Sequence, residues 1–304
     1  MTTVAAIDCG TNTIKLLIGT HTDDGLEVAV RESAMVRLGQ GVDATGRLAD
    51  RALVRALAAI DSYAQQIADH GVDAIRFCAT SATRDASNSD DFRAGVLARL
   101  GVEPEVLSGE EEAAIAFAGG MSNVTDDVSR PVLVIDIGGG STEVVLGDDT
   151  GVLSSRSMDI GSVRLHERHV RHDPATRQEI EAVVHDIDAQ LNDCGVDLGA
   201  AATVLGIAGT MTTIAAGVLG LAAYDPKAID RSVHRLGDVH AHVETLVAMT
   251  VAERLALGHM HPGRADVIGA GALIASRVLR RTSVETLLVS DSDILEGIAW
   301  SMRP

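Results

Sequence analysis

Asp8-Cys9-Gly10-Thr11-Asn12-Thr13 lies between two apolar runs, Val4-Ala5-Ala6-Ile7 and Ile14-Lys15-Leu16-Leu17-Ile18. Further along, Asp136-Ile137-Gly138-Gly139-Gly140-Ser141-Thr142 lies between Val132-Leu133-Val134-Ile135 and Val144-Val145-Leu146. Both stretches read as strand, tight acidic glycine loop, strand. Glycine lets the backbone fold back and approach an oxyanion closely. Successive N–H groups in such a turn form an anion nest, and Thr11, Asn12, Thr13, Ser141 and Thr142 add side-chain donors. Two loops of this kind facing one another can hold a chain of phosphates.

The pattern around each loop repeats. After the first, 26–30 alternates like a third strand. Residues 48–70 place Leu53, Leu57, Ile60, Ala64 and Ile67 at helical spacing, and Gly71 reads as the helix stop. A strand at 74–79, a helix at 89–100, a short strand at Val106-Leu107 and a helix at 109–119 follow. After the second loop come strands at 142–147 and 151–158. A long helix after Pro174 carries Ile180, Val183, Val184, Ile187 and Leu191 on one side. A strand at 204–208 runs into Gly209-Thr210 and another helix. Then come a helix at 264–281, a strand at 286–289 and a final helix at 293–303. The order βββαβα, used twice, predicts two α/β lobes with mixed sheets. Their ligand belongs beyond the strand ends, in a cleft between the lobes. The expected domains are 1–124 and 125–304, joined in the polar stretch 121–130, with the last helix able to return to the first lobe.

Composition narrows the function classes. The chain has 304 residues, a net charge of -18 and 2% aromatic residues. The acidity argues against a nucleic-acid partner, and the few aromatics argue against a base-stacking platform. Screening beyond roughly 8 Å leaves room for an anionic substrate, because local charge decides. Lysine occurs only at Lys15 and Lys227; the arginines suit bidentate phosphate contacts. Cys9, Cys78 and Cys194 show no metal or redox spacing, and a disulfide framework is not expected. Asp8 interrupts the first apolar stretch too early for a signal peptide. No apolar run nears the ~20 residues of a membrane span. No membrane partner and a cytoplasmic location are therefore expected.

An aspartate at the mouth of a phosphate loop would repel the ligand. A divalent cation removes the conflict, since Mg²⁺ takes oxygen ligands, often one or two carboxylates plus substrate phosphate. Asp136 and Glu143, beside the second loop, are the candidate metal ligands, for Mg²⁺ or for Mn²⁺ in its place. The plainer alternative has Asp8 and Asp136 capping turns through Asx hydrogen bonds. Neither loop is a Walker A loop, because no Gly-Lys-Ser/Thr follows. Neither is a dinucleotide fingerprint, because each leads into a strand and not a helix.

These pieces, in order, resemble the exopolyphosphatase / guanosine pentaphosphate phosphohydrolase (Ppx/GppA) family, in a short two-domain form. That family belongs to the sugar kinase, Hsp70 and actin superfamily. The matching segments are Ala6–Thr13, Ala79-Thr80-Ser81-Ala82-Thr83-Arg84, Ser108-Gly109-Glu110-Glu111-Glu112-Ala113, Val134–Glu143, Gly209-Thr210 and Arg264–Ile268. The resemblance implies two ribonuclease H-like (actin-like ATPase) lobes and Mg²⁺-dependent hydrolysis of terminal phosphates from inorganic polyphosphate, or of the 5′ phosphate of pppGpp. It places the catalytic glutamate at Glu112, metal ligands at Asp136 and Glu143, and a phosphate contact at Arg84. A homodimer is compatible with it. Two features depart from the family: the C-terminal helical domains of longer members are not present in this sequence, and Leu295 stands where many relatives have Arg before Glu296-Gly297.

Phosphoryl transfer to water is mainly positioning and charge neutralisation. The substrate contacts expected are Gly10, Thr11, Asn12, Thr13, Arg84, Gly138, Gly139, Gly140, Ser141 and Thr142. Ser108 reads as an N-cap whose capping box Glu111 completes, which leaves Glu112 for the attacking water; alternatively all three glutamates serve the helix dipole. Arg84 ends a hydroxyl-rich loop and can clamp an oxygen or form a surface ion pair. Lys15 reaches a distal phosphate or points to solvent. Arg264 begins a helix, as a further phosphate contact or as a partner of Asp266. His259 and His261 read as loop residues. Exopolyphosphatase activity leads, and pppGpp hydrolysis by the same machinery is the alternative. A nucleotide-dependent kinase, supported by 206–210, and a non-catalytic phosphate-polymer sensor are the other classes.

Overall fold

The computed structural model describes residues 1–124 and 128–303. They form two compact units, Met1–Ser122 together with the chain from Ile294 onward, and Asn123–Asp293. The join expected at 121–130 includes 125–127, which lie outside the described residues.

The first unit contains β1 (Thr2–Cys9), β2 (Thr13–Thr22), β3 (Gly25–Met35), α1 (Val42–Thr45), α2 (Asp50–Asp69), β4 (Ala74–Ala79), α3 (Ser81–Asp85), α4 (Ser89–Leu100), β5 (Glu105–Val106) and α5 (Gly109–Met121). Its sheet order is β3-β2-β1-β4-β5. β1, β2 and β3 form an antiparallel meander, and β4 and β5 run parallel to β1. From Val4 to Cys9 every residue of β1 is buried. A central strand covered on both faces needs a near-continuous apolar run, which only Asp8 interrupts here. Ala5, Ile7 and Cys9 join Ile14, Leu16 and Ile18 under Ala52, Ala56, Ile60, Phe92 and Val96 of α2 and α4. Phe77 and Phe92 meet edge to face, ring centroids 6.1 Å apart. Such side chains contribute about 1.5–3 kcal/mol each when fully buried. The last helix packs on β1 and α5. An added Cβ at Gly297 would lie 2.1 Å from the Ile115 carbonyl oxygen, so the close approach requires glycine.

The second unit contains β6 (Val132–Ile137), β7 (Thr142–Asp148), β8 (Gly151–Met158), α6 (Ser162–His169), α7 (Arg177–Asn192), β9 (Thr203–Ile207), α8 (Ala208–Val218), α9 (Pro226–Ile229), β10 (Ser232–Arg235), α10 (Leu236–Ala248), α11 (Val251–Leu255), α12 (Ile268–Leu279) and β11 (Thr286–Val289). The helix returning to the first unit is α13 (Ile294–Trp300). The sheet order β8-β7-β6-β9-β11-β10 repeats the first unit's order and adds β10 at the edge, antiparallel to β11. Each unit is thus a ribonuclease H-like lobe with a mixed sheet. The second core is aliphatic: Leu133 and Ile135 pack with Val183, Ile187, Ile214, Val243, Ile274 and Val278.

Several boundaries differ from the sequence reading. The strand expected at Val106-Leu107 pairs as Glu105–Val106. The stretch after Ala79 is the short helix α3 and not a loop. The helix expected from 264 begins at Ile268. Before it the chain turns, with the N–H groups of Val267 and Ile268 both donating to the Arg264 carbonyl. Helices α6, α10 and α11 and strand β10 were not read from the sequence; they are short or carry weak periodicity. No helix among the described residues is long and apolar enough to cross a membrane.

Candidate active site

Both glycine loops close in the same way. Gly10 N–H donates to the Thr13 carbonyl at 2.9 Å, and Gly138 N–H donates to the Ser141 carbonyl at 3.0 Å. Each loop is then held by a neighbouring segment that takes its carbonyls. In the first unit Val36, Arg37 and Gly39 donate N–H groups to the Asn12 and Thr11 carbonyls. In the second, Ser162, Val163 and Arg164, at the start of α6, donate to the carbonyls of Gly138 and Gly139. The Arg164 side chain donates to the Gly140 carbonyl at 2.6 Å. In a trans peptide the N–H points opposite to the C=O. Drawing the carbonyls of 138–140 toward α6 therefore turns the N–H groups of Gly139, Gly140 and Ser141 the other way. That row of donors is an anion nest.

Two glycines make these contacts possible. An added Cβ at Gly161 would lie 2.4 Å from the Gly139 carbonyl oxygen, and one at Gly39 would lie 2.3 Å from Thr11 Cγ2. Sequence reasoning missed both. The available signal was a glycine just past the third strand of each repeat.

The loops differ in charge. Asp8 is paired across the ladder with Lys15, whose Nζ lies 3.4 Å from Asp8 Oδ2. Asp136 holds the same register position opposite Glu143. Directly opposed residues share a sheet face with Cβ atoms about 4.5–5.5 Å apart. Both carboxylates are buried, and Ser157 Oγ donates to Glu143 Oε1 at 2.7 Å. Two buried like charges side by side repel, and a divalent cation relieves that. Among the described residues no cluster of three or more His, Cys, Asp or Glu can hold a metal. Two hard oxygen ligands, with substrate and water completing the shell, fit Mg²⁺. Lys15, expected either at a distal phosphate or in solvent, does not point to solvent: it is largely buried against Asp8.

Glu112 stands in the first turn of α5. Ser108 caps that helix and forms the expected capping box with Glu111. The Ser108 backbone N–H and hydroxyl hold the Glu111 carboxyl below the usual range. Glu112, on the next position, is buried at 8% exposure. Arg84 Nη1 donates to Glu112 Oε2 at 3.1 Å and to the Leu107 carbonyl at 2.8 Å. The ion pair foreseen as an alternative for Arg84 therefore exists, with Glu112 itself. Around it Thr11 Oγ1 and Ser81 Oγ are 2.8 Å apart, and Thr83 Oγ1 is buried without a hydrogen-bond partner. Burial pushes the neighbouring Cys78 thiol up to about 12 and raises that of Cys9 well above its usual value. Both cysteines stay protonated and inert, and all three cysteines are free.

Arg264 does not begin a helix. It lies in the turn before α12, its guanidinium packed on Gly209, where an added Cβ would be 2.3 Å from Nη2. Burial lowers its pKa, while Tyr224, Asp293 and Asp291 act in the opposite sense. The partner expected for it, Asp266, acts on Arg254. Thr210 Oγ1 donates to the Ile137 carbonyl at 3.0 Å, so the Gly209-Thr210 corner is tied to the second loop. Tyr224 lies against Thr212 in this group, an aromatic that sequence reasoning did not connect with the site. Leu295, where many relatives carry Arg, is buried, and its neighbour Glu296 pairs with Arg31 of β3. His259 and His261 lie in irregular chain, as expected; His259 Nδ1 is 3.0 Å from the Leu221 carbonyl.

Comparisons with known proteins identify the family. The family model described as the Ppx/GppA phosphatase family matches residues 17–304. Exopolyphosphatase 2 of Mycobacterium tuberculosis is 43% identical over 317 aligned positions, covering 99% of each chain. A crystal structure of an exopolyphosphatase-like protein superposes with a TM-score of 0.95 at 43% identity, covering 98% of each chain. That of an exopolyphosphatase from Cytophaga hutchinsonii gives 0.92 at 28% identity, covering 99% of this chain and 97% of the other.

Proposed function

The chain belongs to the Ppx/GppA phosphatase family, and we propose that it is an exopolyphosphatase, releasing orthophosphate from the ends of inorganic polyphosphate. The observation that carries this reading is the matched pair of loops with opposite charge registers, Asp8 with Lys15 and Asp136 with Glu143. One loop has its own cation; the other has two carboxylates suited to Mg²⁺.

In this reading Asp136 and Glu143 would hold Mg²⁺, which would supply neutralisation of phosphate charge there. The N–H groups of Gly139, Gly140 and Ser141 bind the oxyanions of one phosphate, with Thr142 beside them. Gly10, Thr11, Asn12 and Thr13 form the corresponding cradle of the first unit. Arg84 and Arg264 add guanidinium donors, which suit phosphate oxygens bidentately. Glu112 orients the attacking water and accepts its proton as the new P–O bond forms. The electron pair of the broken P–O bond leaves with the shortened chain. Lys15 stands beside the first unit's cradle, paired with Asp8.

A second reading, removal of the 5′ phosphate of pppGpp at the same site, is favoured by Tyr224, an aromatic residue within electrostatic reach of Arg264. Orthophosphate release from short polyphosphate, long polyphosphate, pppGpp and ATP, side by side with Mg²⁺, separates the two. The expected result is fastest release from polyphosphate, abolished by chelation and restored by Mg²⁺. Faster release from pppGpp would favour the second reading. Release only with an added phosphate acceptor, or binding without release, would overturn both.

A further inference from the structure

We infer that Arg84 is a positioning residue that fixes Glu112 relative to the reacting phosphorus, one side of its guanidinium holding the carboxylate and the other the substrate. The inference rests on Glu112 being the group that orients water, as proposed above.

The geometry within the first unit carries it. Arg84 Nη1 is engaged twice, by Glu112 Oε2 at 3.1 Å and by the Leu107 carbonyl at 2.8 Å. Leu107 directly precedes the Ser108 cap of α5, so the same nitrogen ties the carboxylate and the start of its helix. Its Nε and Nη2 have no protein partner among the described residues. The Arg84 side chain is 25% exposed and that of Glu112 10%, so the pair is partly open, mainly at the arginine. A guanidinium is planar and rigid, with donors in a fixed fork. With Nη1 committed to Glu112, a phosphate oxygen on Nη2 and Nε is held at a set distance and angle from the carboxylate. The buried, unpartnered Thr83 Oγ1 is on the same helix as Arg84, as is Ser81, whose Oγ meets Thr11 Oγ1 of the first loop. An ammonium carries its three donors on one rotatable nitrogen and lacks the planar fork, so it does not fix the angle between two acceptors.

Charged and titratable groups stand around Glu112 on several elements. Arg84 faces it from α3, and Cys78 from β4; Asp8 of β1 also acts on Cys78. Asp8 is paired with Lys15, and Glu110 and Glu111 share the helix turn. Arg84 is the cation paired directly with the Glu112 carboxylate.

The test compares kcat and KM across pH for the unaltered enzyme, Glu112→Gln, Arg84→Gln and Arg84→Lys on short polyphosphate, with circular dichroism to establish folding. Glu112→Gln is expected to lose at least ~10²-fold in kcat; near-normal turnover there would end the reading on which the inference rests. Arg84→Gln is expected to move the acid limb of kcat up by about 1 unit or more, because a neighbouring positive charge lowers a carboxyl pKa by about 1–3 units. Arg84→Lys is expected to restore the acid limb but not kcat or KM, since charge returns without the fork. If Glu112→Gln is inactive while folded Arg84→Gln keeps the wild-type acid limb, Arg84 does not act through Glu112 and the inference is overturned. Full recovery of kcat and KM by Arg84→Lys would equally remove the fork from the argument.

Discussion

The loop at 8–13 and the loop at 136–142 have the same backbone and opposite electrostatics. Both close through a glycine N–H on a carbonyl three residues ahead, and both are held by a glycine-containing segment past the third strand. At the one register position where a side chain can neutralise the loop's aspartate, the first unit has Lys15 and the second has Glu143. The first loop's aspartate thus faces an ammonium. The second loop's faces another buried carboxylate, the arrangement on which the proposed metal site rests. Duplicated folds diverge in this way at little structural cost, because a cross-strand position can change charge without altering the ladder.

The largest effect is expected from copying one loop's charge onto the other. Glu143→Lys should abolish Mg²⁺ binding by calorimetry and lower turnover by at least ~10³-fold, as for loss of a principal electrostatic group. Retained metal-dependent turnover would break the distinction between the loops. Next come the two glycines that press on the loops. At Gly161 an added Cβ meets backbone, the carbonyl of Gly139; at Gly39 it meets the side chain of Thr11. Gly161→Ala should therefore cost more activity, roughly 10²-fold against 10-fold, in keeping with misplacements of about 1 Å at reacting groups. Equal losses in the two variants would show that both loops yield alike.

The smallest effect concerns stability and again separates the units. Burial holds the His234, His240 and His242 imidazoles below the usual histidine range, and all three lie in the second unit. Unfolded, they take protons near pH ~6.5. Below that pH the unfolded chain binds more protons than the folded one, so stability is full above ~6.5 and falls as pH drops. The melting temperature should be lower by roughly 2–5 °C at pH 5.5 than at pH 7.5. Trp300, the sole tryptophan, reports on the first unit. At pH 5.5 the circular dichroism transition should precede the Trp300 fluorescence transition. Coincident transitions, or a melting point insensitive to pH, would argue against an acid-sensitive second unit.

Much of this was legible along the chain because it is local. The paired loops, the strand at 74–79, the helix at 89–100 and the Ser108–Glu111 capping box each follow from alternation, glycine placement or short-range hydrogen bonding. The start of α12 was not, because Arg264 continues an apolar helical pattern while the turn around Pro262 and Gly263 holds it outside the helix. Nor was α6, whose eight residues carry only three buried positions.

The sequence by itself determined two ribonuclease H-like repeats, each opening on an acidic glycine loop, and the family to which the chain belongs. Period and loop chemistry act over a few residues, so they can be read from order alone. Only the tertiary structure decided that Arg84 meets Glu112, that Lys15 answers Asp8 while Glu143 faces Asp136, and that Gly39 and Gly161 brace the loops. Those relations depend on strand register and on contacts between residues distant in the chain, which packing and backbone hydrogen bonds set together.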